Sequence, residues 1–323
     1  MSVTLVTGAT GLIGRRLIAR LLGASMPVRA LVMPDDPTPP LDPAVEIVRG
    51  DITDPASVTR ALEGATRVVH LAAVVTDWAP RALFDHVTEA GTKNVFERAA
   101  PGTHVVLASS IVVYGDKLGT RPLTEDTPHG RALGNYGASK QAQERIAREL
   151  APRRDLALTV VRPANVYGAG SKPWVDDALA QLESGSPALV SGGDFDAGLV
   201  HVDNVSDVFF RCLTQQVAKG RTYHAAESSG VTWKRYFGDL ARIAGLRAPG
   251  SLPRAIAAAA APIMEATWRA LGKTSRPPIT REALNLVGTP LSISIARAQS
   301  ELGYAPRVTY AEGIAEIERY LGK

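Results

Sequence analysis

Residues 3–14 read Val3-Thr4-Leu5-Val6-Thr7-Gly8-Ala9-Thr10-Gly11-Leu12-Ile13-Gly14, an apolar, β-branched run that leads directly into three evenly spaced glycines. An apolar pattern with helical spacing follows, from Leu12 to Leu22. This order of strand, glycine-rich turn and helix lets backbone N–H groups approach a pyrophosphate at the helix N-terminus. The spacing is GxxGxxG rather than GxGxxG, and an ordinary strand-to-helix turn is the competing interpretation. The stretch predicts a dinucleotide-binding unit at the start of the chain.

The same alternation of strands and helices continues through the first half of the chain. Further strands are predicted at Val28–Val32, Val45–Val48, Arg67–Leu71, His104–Ala108 and Leu156–Val161. Helices are predicted at Pro55–Glu63, at about Pro80–Ala99 and around Tyr136. This rhythm predicts an α/β fold with a Rossmann-type, doubly wound parallel sheet. Ligands of such sheets lie at the carboxyl ends of the strands, where this chain has Gly8, Asp51, Ala72, Ser110 and Pro163.

Beyond Pro163 the alternation weakens. Residues 168–200 are rich in Gly, Pro and Ser, and His201–Cys212 is typical of a return to the main sheet. We predict a dinucleotide-binding domain formed by residues 1–167 and about 200–225. The remainder, about 168–199 and 226–323, is predicted to form a smaller, discontinuous, mainly helical lobe that binds the substrate.

The composition is that of a soluble globular protein. It is 45% hydrophobic and 21% charged, and 36 basic against 32 acidic residues give a net charge of +4. No basic block stands out, which argues against a nucleic-acid partner. The N-terminus has no signal-peptide pattern, and the apolar run Ala255–Met264 is shorter than the roughly 20 residues that a bilayer span takes. We expect a cytoplasmic protein.

The single cysteine and the six histidines predict neither a disulfide nor a metal site. Cys212 lies in the apolar run Val208–Leu213, which is typical of a buried and unreactive thiol. The histidines are scattered and lack the close spacing of metal ligands. They are His70, His86, His104, His129, His201 and His224.

A second short motif, Tyr136-Gly137-Ala138-Ser139-Lys140, carries acid–base chemistry if it lies on a helix. Residues four apart on a helix share one face, so the Lys140 ammonium is expected to favour the phenolate of Tyr136 and lower its pKa. Such a phenol exchanges protons near neutral pH, as hydride transfer at an alcohol or ketone requires. On its own the motif is equally consistent with a solvated helix face.

Several motifs, taken in order, resemble the extended short-chain dehydrogenase/reductase family, within the NAD-dependent epimerase/dehydratase superfamily. The resemblance extends over the whole chain, and it is nearest to the branch of 3β-hydroxysteroid dehydrogenases and dihydroflavonol 4-reductases. The matching stretches are TGATGLIG at 7–14, GDITD at 50–54, HLAAVVTDW at 70–78, SSIVVYG at 109–115, YGASK at 136–140, RPANVYG at 162–168, HVDNV at 201–205 and LGYAPRVTYAEGI at 302–314.

The resemblance implies roles for individual residues. Tyr136 is the expected acid/base, Lys140 lowers its pKa and binds the nicotinamide ribose, and Ser110 bonds to the substrate oxygen. The residues expected to bind the cofactor are Gly8, Thr10, Gly11, Leu12, Ile13, Gly14, Asp51, Ile52, Leu71, Ala72, Ala73, Ser109, Tyr136, Lys140, Pro163, Asn165 and Val166. The residues expected to contact the substrate are Trp78, Ser110, Val112 and Tyr136.

Two positions leave questions open. Thr88 stands where many members of the family have an Asn, which puts a water-mediated proton relay through this position in doubt, although a hydroxyl partly replaces an amide. The end of the second strand does not decide between NAD and NADP. Asp35 and Asp36 are candidates for the ribose hydroxyl, and the candidates for a 2′-phosphate are Arg15, Arg16 and Arg29.

The function that the resemblance implies is NAD(P)-dependent interconversion of a secondary alcohol and a ketone on a moderately large apolar substrate of steroid, flavonoid or lipid type. The alternative is a nucleotide-sugar epimerase, with Arg276 or Arg281 binding the diphosphate. Dehydration is disfavoured because Ile111 and Val112 stand where dehydratases carry an acidic pair. A non-catalytic dinucleotide sensor is disfavoured because the Ser, Tyr and Lys are all present.

The expected partner is therefore a small apolar molecule, and a homodimer is consistent with the family. Residues 252–271 combine apolar residues such as Ile256 and Ile263 with Arg254 and Arg269. This segment is expected to be a buried lobe helix, with peripheral contact to a membrane as the less favoured alternative.

Overall fold

A computed structural model describes residues 3–38, 40–227 and 229–322. Seven parallel strands form the central sheet, in the order β3-β2-β1-β4-β5-β6-β10. The strands of this sheet are β1 (Val3–Thr7), β2 (Val28–Val32), β3 (Glu46–Arg49), β4 (Ala65–His70), β5 (His104–Ala108), β6 (Ala157–Pro163) and β10 (Thr222–Ala225). This confirms the α/β, doubly wound fold that was predicted from the sequence.

Two short parallel sheets lie outside the central one. One pairs β7 (Asn165–Tyr167) with β9 (Leu199–His201), and the other pairs β8 (Leu189–Val190) with β11 (Ser251–Leu252).

Some of the α-helices pack on the two faces of the central sheet, and the others lie outside it. The α-helices are α1 (Leu12–Gly23), α2 (Pro55–Leu62), α3 (Arg81–Leu83), α4 (Gly91–Arg98), α5 (Asn135–Arg153), α6 (Asp177–Glu183), α7 (Val202–Thr214), α8 (Trp233–Ala244), α9 (Arg254–Ala270), α10 (Arg281–Val287), α11 (Ala296–Leu302) and α12 (Tyr310–Tyr320). One apolar core packs α1 and α7 against the sheet. A second packs α2, α4 and α5 against the opposite face. The alternating side chains of each buried strand thus meet helices on both sides, as a doubly wound sheet requires.

A further apolar core lies among the elements outside the central sheet. Its largest members are aromatic, and Trp233 stacks on Trp174 with ring centroids 4.8 Å apart. We refer to α6, α8, α9, α10 and the two short sheets as the lobe. The residue boundaries proposed above for the two domains remain a prediction.

Three details differ from the prediction. The helix expected at about Pro80–Ala99 contains a π-helical segment, Phe84–Ala90, between α3 and α4. His201–Cys212 was expected to rejoin the main sheet, but most of it forms α7. This stretch favours a helix because its apolar residues recur with helical spacing and pack against α1 and the sheet. The strand that joins the sheet in this region is β10.

The Ala-rich segment also differs from the expectation of a buried helix. Only small or paired residues of α9 face inward, and these are Ala257, Ala261 and Glu265. Ile256 and Ile263 are 56% and 66% exposed. Across the described ranges, no helix combines the length and the apolar character needed to cross a membrane.

Candidate active site

The glycine-rich turn brings the start of α1 close to the end of β4. Gly8 has a φ of 67°, and a Cβ added there would lie 2.8 Å from the amide nitrogen of Ala72. A Cβ on Gly14 would lie 2.3 Å from the carbonyl oxygen of Gly8. Side chains at these positions would therefore fill the space between turn, helix and strand. Glycine is required here both for the left-handed backbone and for the close approach.

The N-terminus of α1 is suited to an anion. Gly11 is the N-cap residue, and the described residues supply neither a side-chain cap nor an acidic group in the first turn. The partial positive charge of this helix end is thus directed at the turn. Leu12 and Ile13 lie in that first turn, where their N–H groups are not used by the helix.

The other residues predicted to contact a cofactor lie at the carboxyl ends of neighbouring strands. Asn94 donates to the carbonyl of Ile52 at 3.0 Å and so fixes the loop that follows Asp51. The N–H of Leu71 continues the pairing of β4 with β1, and that of Ala72 donates to Oγ1 of Thr7 at 3.3 Å. Pro163, Asn165, Val166 and Ala73 complete this edge. The predicted residues therefore lie together at the carboxyl ends of the strands of the central sheet.

Two of these residues use their side chains for internal contacts. Nδ2 of Asn165 donates to the carbonyl of Ala197 at 2.8 Å, which ties β7 to β9. Oγ of Ser109 donates to Oε1 of Glu144 at 2.6 Å. Their side chains thus hold the framework in place, which leaves the backbone of both residues for a ligand.

The loop after β2 places an acid beside the glycine-rich turn. Oγ1 of Thr10 donates to Oδ2 of Asp36 at 2.7 Å, and Nε of Arg15 donates to the carbonyl of Thr10 at 3.0 Å. The hydrogen bonds from Thr10 and Thr38 hold the pKa of Asp36 below its usual range. Asp36 is therefore an anion beside the glycine-rich turn.

The other two arginines considered for a phosphate have different positions. Arg29 donates to the carbonyls of Ala61 and Glu63 at the opposite edge of the sheet. Arg16 pairs with Glu316. Of the three basic candidates, Arg15 is the one beside the turn.

Tyr136 is the second residue of α5, and the Ser110 hydroxyl lies close enough to its phenol to lower the pKa of that phenol. Ser110 follows β5 directly, and its Oγ accepts from the N–H of Val112 at 3.3 Å. The Ser110 hydroxyl can therefore donate its own proton toward the space in front of Tyr136.

The pKa of Tyr136 moves in the direction opposite to the one expected from the motif. Burial raises it to about 12, the Ser110 hydroxyl lowers it by a smaller amount, and Glu282 raises it further. The expected influence of Lys140 is not among these causes, because the same burial also lowers the pKa of the Lys140 ammonium to about 7. The phenol is therefore protonated at neutral pH in this state.

Lys140 lies in a buried polar chain that sequence reasoning missed. Its Nζ donates to the carbonyl of Ala108 and to Oε1 of Gln143, both at 2.9 Å. Nε2 of Gln143 donates to Oγ1 of Thr92 at 3.0 Å, and Thr92 is bonded to Nε2 of His70. Burial lowers the pKa of His70 to about 3, so this ring stays neutral.

Thr88, the residue in place of the usual Asn, contributes differently. Its Oγ1 accepts from the N–H of Val74 at 3.1 Å, and its carbonyl accepts from Oγ1 of Thr92 at 2.6 Å. The hydroxyl that connects to Lys140 through Gln143 is thus that of Thr92, one helical turn farther on.

Glu144 lies at the centre of a second buried network behind the strand ends. Arg162 donates to both of its carboxylate oxygens at 2.8 Å, and His129 and Ser109 bond to the same group. Burial opposes ionisation of Glu144, but these hydrogen bonds outweigh it and hold its pKa well below the usual range. Glu144 is one helical turn beyond Lys140, and this spacing is the only signal in the sequence for it.

The side chains predicted to face a substrate lie between the sheet and the lobe. Trp78 follows β4, and the guanidinium of Arg269 lies 5.1 Å from its ring centroid. Val112 is buried. Arg276 binds both oxygens of Asp77, at 2.6 and 2.7 Å. The lobe therefore closes over the strand ends through charged contacts.

Arg281 is also paired within this region. Its backbone N–H and Nε donate to Oε1 and Oε2 of Glu265, at 2.8 and 3.0 Å. Both arginines that were considered for a diphosphate thus neutralise carboxylates of the protein itself.

His201, Asp203 and Glu316 form the one group in the described part of the chain whose spacing suits a metal ion. Both ring nitrogens of His201 are used, because Nδ1 accepts from the N–H of Asp203 and Nε2 bonds to Glu316 at 2.6 Å. Arg16 pairs with both carboxylates. A cation of the protein itself thus balances the charge of both carboxylates.

Cys212 is buried, and burial raises the pKa of its thiol well above the usual value, as expected for an unreactive group.

Comparison with known proteins agrees with this arrangement. The family model described as the NAD dependent epimerase/dehydratase family matches residues 4–226. A ketoreductase of Stigmatella aurantiaca that acts on 4-hydroxy-2-methyl-3-oxo-4-farnesyl-3,4-dihydroquinoline-1-oxide is 28% identical, over 98% of this chain and 96% of its own. The 2-alkyl-3-oxoalkanoate reductase of Stenotrophomonas maltophilia is 26% identical, over 97% of this chain and 98% of its own.

Solved structures share the fold over nearly the whole length. The crystal structure of gox2253 superposes with a TM-score of 0.81 at 26% identity, covering 100% of this chain and 98% of that one. UDP-glucuronic acid 4-epimerase from Bacillus cereus, solved with UDP-glucuronic acid and NAD, has a TM-score of 0.76 at 19% identity and 99% coverage of both chains. At this identity the second likeness concerns the fold alone.

Proposed function

The chain belongs to the NAD dependent epimerase/dehydratase family, and on that premise we propose that it is an NAD(P)-dependent reductase that converts a ketone to a secondary alcohol on a large apolar substrate. The observation that carries this proposal is the proximity of the Ser110 hydroxyl to the buried phenol of Tyr136, with Lys140 on the same helix. This group lies at the end of β5, on the same sheet edge as the glycine-rich turn.

The residues around the turn fit a dinucleotide. Gly8 and Gly14 leave a cradle that any Cβ would fill, and the N-terminus of α1 faces it. In our proposal the diphosphate is held by the N–H groups that follow Gly11, and the adenosine ribose lies beside Asp36. When bound, the reduced cofactor supplies the hydride for the reaction.

Tyr136 is proposed to donate the proton. The carbonyl carbon gains a hydride and the carbonyl oxygen gains the phenolic proton, which leaves a secondary alcohol and a phenolate that recovers its proton from solvent. A pKa of about 12 keeps the phenol protonated at neutral pH, which is the form that a proton donor needs. Lys140 stabilises the phenolate, and Ser110 donates to the carbonyl oxygen as negative charge develops there.

The substrate class is supported by two independent observations. Trp78 precedes Ala79, whose carbonyl accepts from Asn135 in the first turn of α5, and the backbone of Val112 lies beside Gly137 of the same turn. The related reductases are named for a farnesylated ketone and an alkylated 3-oxo acid. A ketone on a long aliphatic or isoprenoid chain agrees with these apolar residues and with the substrates named for the related reductases. A nucleotide sugar fits less well, because Arg276 and Arg281 already pair with Asp77 and Glu265.

The test follows the absorbance of reduced cofactor at 340 nm with 3-oxo acyl and isoprenoid ketones, in parallel with nucleotide sugars. We expect oxidation of the cofactor with a long-chain ketone. Tyr136→Phe should abolish turnover while leaving the Kd of the reduced cofactor within about twofold of wild type, because the lost hydroxyl acts on the substrate. Ser110→Ala should lower kcat by about 10²–10³. Inversion of a nucleotide sugar without net oxidation would contradict the proposal and favour the epimerase.

A further inference from the structure

The helix that carries Tyr136 begins without a cap of its own. Its N-cap residue, Gly134, has no side chain that accepts from the first-turn N–H groups. Helices α2, α8 and α12 are instead preceded by the N-cap residues Asp54, Thr232 and Thr309, whose side chains do accept such bonds. Unpaired N–H groups at a buried helix end cost free energy. Helix α5 therefore needs an acceptor from elsewhere in the fold.

Glu282, on the lobe helix α10, supplies that acceptor. The N–H of Gly137 donates to its Oε1 at 2.6 Å, across 145 positions of sequence, and the N–H of Tyr136 lies close enough to the same carboxyl to lower its pKa. A Cβ added to Gly134 would lie 2.1 Å from Oε2, and one added to Gly137 would lie 2.9 Å from Oε1. The two glycines thus leave a seat for a side chain that comes from the lobe.

The capping carboxyl is held in place by a joint between the lobe and the loop after β4. Oγ1 of Thr280, the N-cap residue of α10, donates to Oδ2 of Asp77 at 2.5 Å. Arg276 makes two further bonds to the same carboxylate. On the other side, Nδ2 of Asn135 donates to the carbonyl of Ala79 at 3.0 Å. The loop, the lobe and the first turn of α5 therefore form one connected contact.

We infer that Glu282 is a positioning residue for the reaction: by capping α5 from the lobe, it sets where the Tyr136 phenol lies relative to Ser110. The inference rests on the function proposed above, since it concerns the proton donor of that reaction. Tyr136 is in the first turn of α5, so fraying of this turn moves the phenol directly. Misplacing a catalytic group by about 1 Å costs up to about 10²-fold in rate.

Glu282 also carries a charge that depends on pH. Burial raises the pKa of its carboxyl to about 8; the hydrogen bond from Gly137 acts against burial, and Asp77 and Glu265 raise the pKa further. Oε2 has no hydrogen-bond partner within the described ranges. At neutral pH the group therefore caps the helix mainly in its neutral form. Above about pH 8 it becomes an anion that raises the pKa of Tyr136.

The test compares Glu282→Ala, Glu282→Gln and the double variant Glu282→Ala with Gly134→Ser. The alanine variant should lose about tenfold to a hundredfold in kcat, with the KM for reduced cofactor within about twofold, because only the phenol is displaced. Glutamine keeps an acceptor oxygen and should recover most of that loss at pH 7. Serine at 134 provides a local cap in the space that the carboxyl leaves, and it should also restore kcat.

A pH profile separates positioning from simple structural support. Without the anion beside Tyr136, the alkaline limb of kcat should move to lower pH in Glu282→Gln, because the pKa of the phenol falls. Thr309→Ala is the matched control: it removes the cap of α12, whose capping hydrogen bonds are formed within its own first turn. This control should lower Tm and leave kcat unaltered.

Hydrogen exchange at the amides of Tyr136 and Gly137, measured with no substrate present, keeps this inference separate from the proposed function. Faster exchange at both amides in Glu282→Ala, reversed by Gly134→Ser, supports the cap even if no ketone is reduced by the wild type. Wild-type exchange and wild-type kcat in Glu282→Ala would overturn it. So would a folded double variant that recovers neither exchange protection nor kcat.

Discussion

The ammonium of Lys140 lies 2.9 Å from Oε1 of Gln143, three residues farther along the same helix. The hydroxyl of Thr88, which stands where many members of the family have an Asn, accepts instead from the N–H of Val74. The contact with Gln143 fixes the lysine through side chains of its own helix and of α4, because Gln143 is in turn bonded to Thr92. The support of Lys140 thus comes from Gln143 and Thr92.

Replacing Gln143 by Leu should lower kcat about tenfold, because the ammonium loses an acceptor of the kind that contributes about 1.5–3 kcal/mol to a charged group. The loss also lowers the pKa of Lys140 below its value of about 7, so the ammonium loses its proton at a lower pH than in wild type. Gln141→Leu is the control, since Gln141 bonds to the carbonyls of Val113 and Gly130. Equal pH profiles for both variants would contradict this role.

The hydrogen bond from Thr10 to Asp36 predicts a preference for NAD(H) over NADP(H). An ionised Asp36 beside the ribose repels a 2′-phosphate, since like charges a few ångströms apart are destabilising. The ratio of the two kcat/KM values should therefore exceed about tenfold in wild type, a difference of about 1.4 kcal/mol. Asp36→Asn should reduce the ratio, whereas Asp35→Asn, at the exposed neighbour, should leave it unaltered. A wild-type preference for NADPH would contradict the assignment.

Substitutions at two glycines with nearly equal φ distinguish the effect of backbone strain from the effect of a steric clash at the glycine-rich turn. Gly64 has a φ of 68° with open space around it, whereas a Cβ on Gly8 meets Ala72 at 2.8 Å. Gly64→Ala should cost about 1–2 kcal/mol of unfolding free energy and leave cofactor binding intact. Gly8→Ala should cost more and abolish binding of the reduced cofactor, measured by fluorescence titration. Normal binding by Gly8→Ala would exclude the turn from the cofactor site.

The lowered pKa of Glu144 predicts that the free energy of unfolding falls in acid. Its pKa is held below the unfolded value of 4.5, so its contribution is present above pH 4.5 and is lost as the pH falls further. Glu144→Ala should cost about 3–5 kcal/mol at pH 7, because it leaves the Arg162 cation buried and unpaired. Denaturant midpoints at pH 7 and pH 4 measure both effects. Glu149→Gln, in an exposed pair on the same helix, should alter neither midpoint.

Local patterns in the sequence were sufficient for most of the fold. The exact bounds of β1, β2 and β5 follow from short apolar runs, and Gly8 and Gly14 identify the turn because their spacing reflects a local backbone requirement. The return to the sheet that was expected at His201–Cys212 is wrong, because the apolar residues of this stretch recur with helical spacing and form one face of α7.

The parts of the site that the sequence did not predict depend on tertiary contacts. Glu282 lies 145 positions from Gly137, so no periodicity connects them. The pKa of Tyr136 was expected to fall because the Lys140 ammonium lies on the same helix. Burial raises it instead, and burial is a property of the packed fold rather than of the motif. Gln143 and Glu144 are visible only once Lys140 is known to point into the core.

The most direct test of the central claim uses reduced cofactor that carries deuterium at C4 of the nicotinamide, with a long-chain ketone, followed by mass spectrometry of the product. We predict an alcohol with one deuterium on the carbinol carbon for wild type, and no labelled alcohol for Tyr136→Phe. A product without deuterium, or equal labelling by Tyr136→Phe, would contradict hydride transfer to a ketone with Tyr136 as the proton donor.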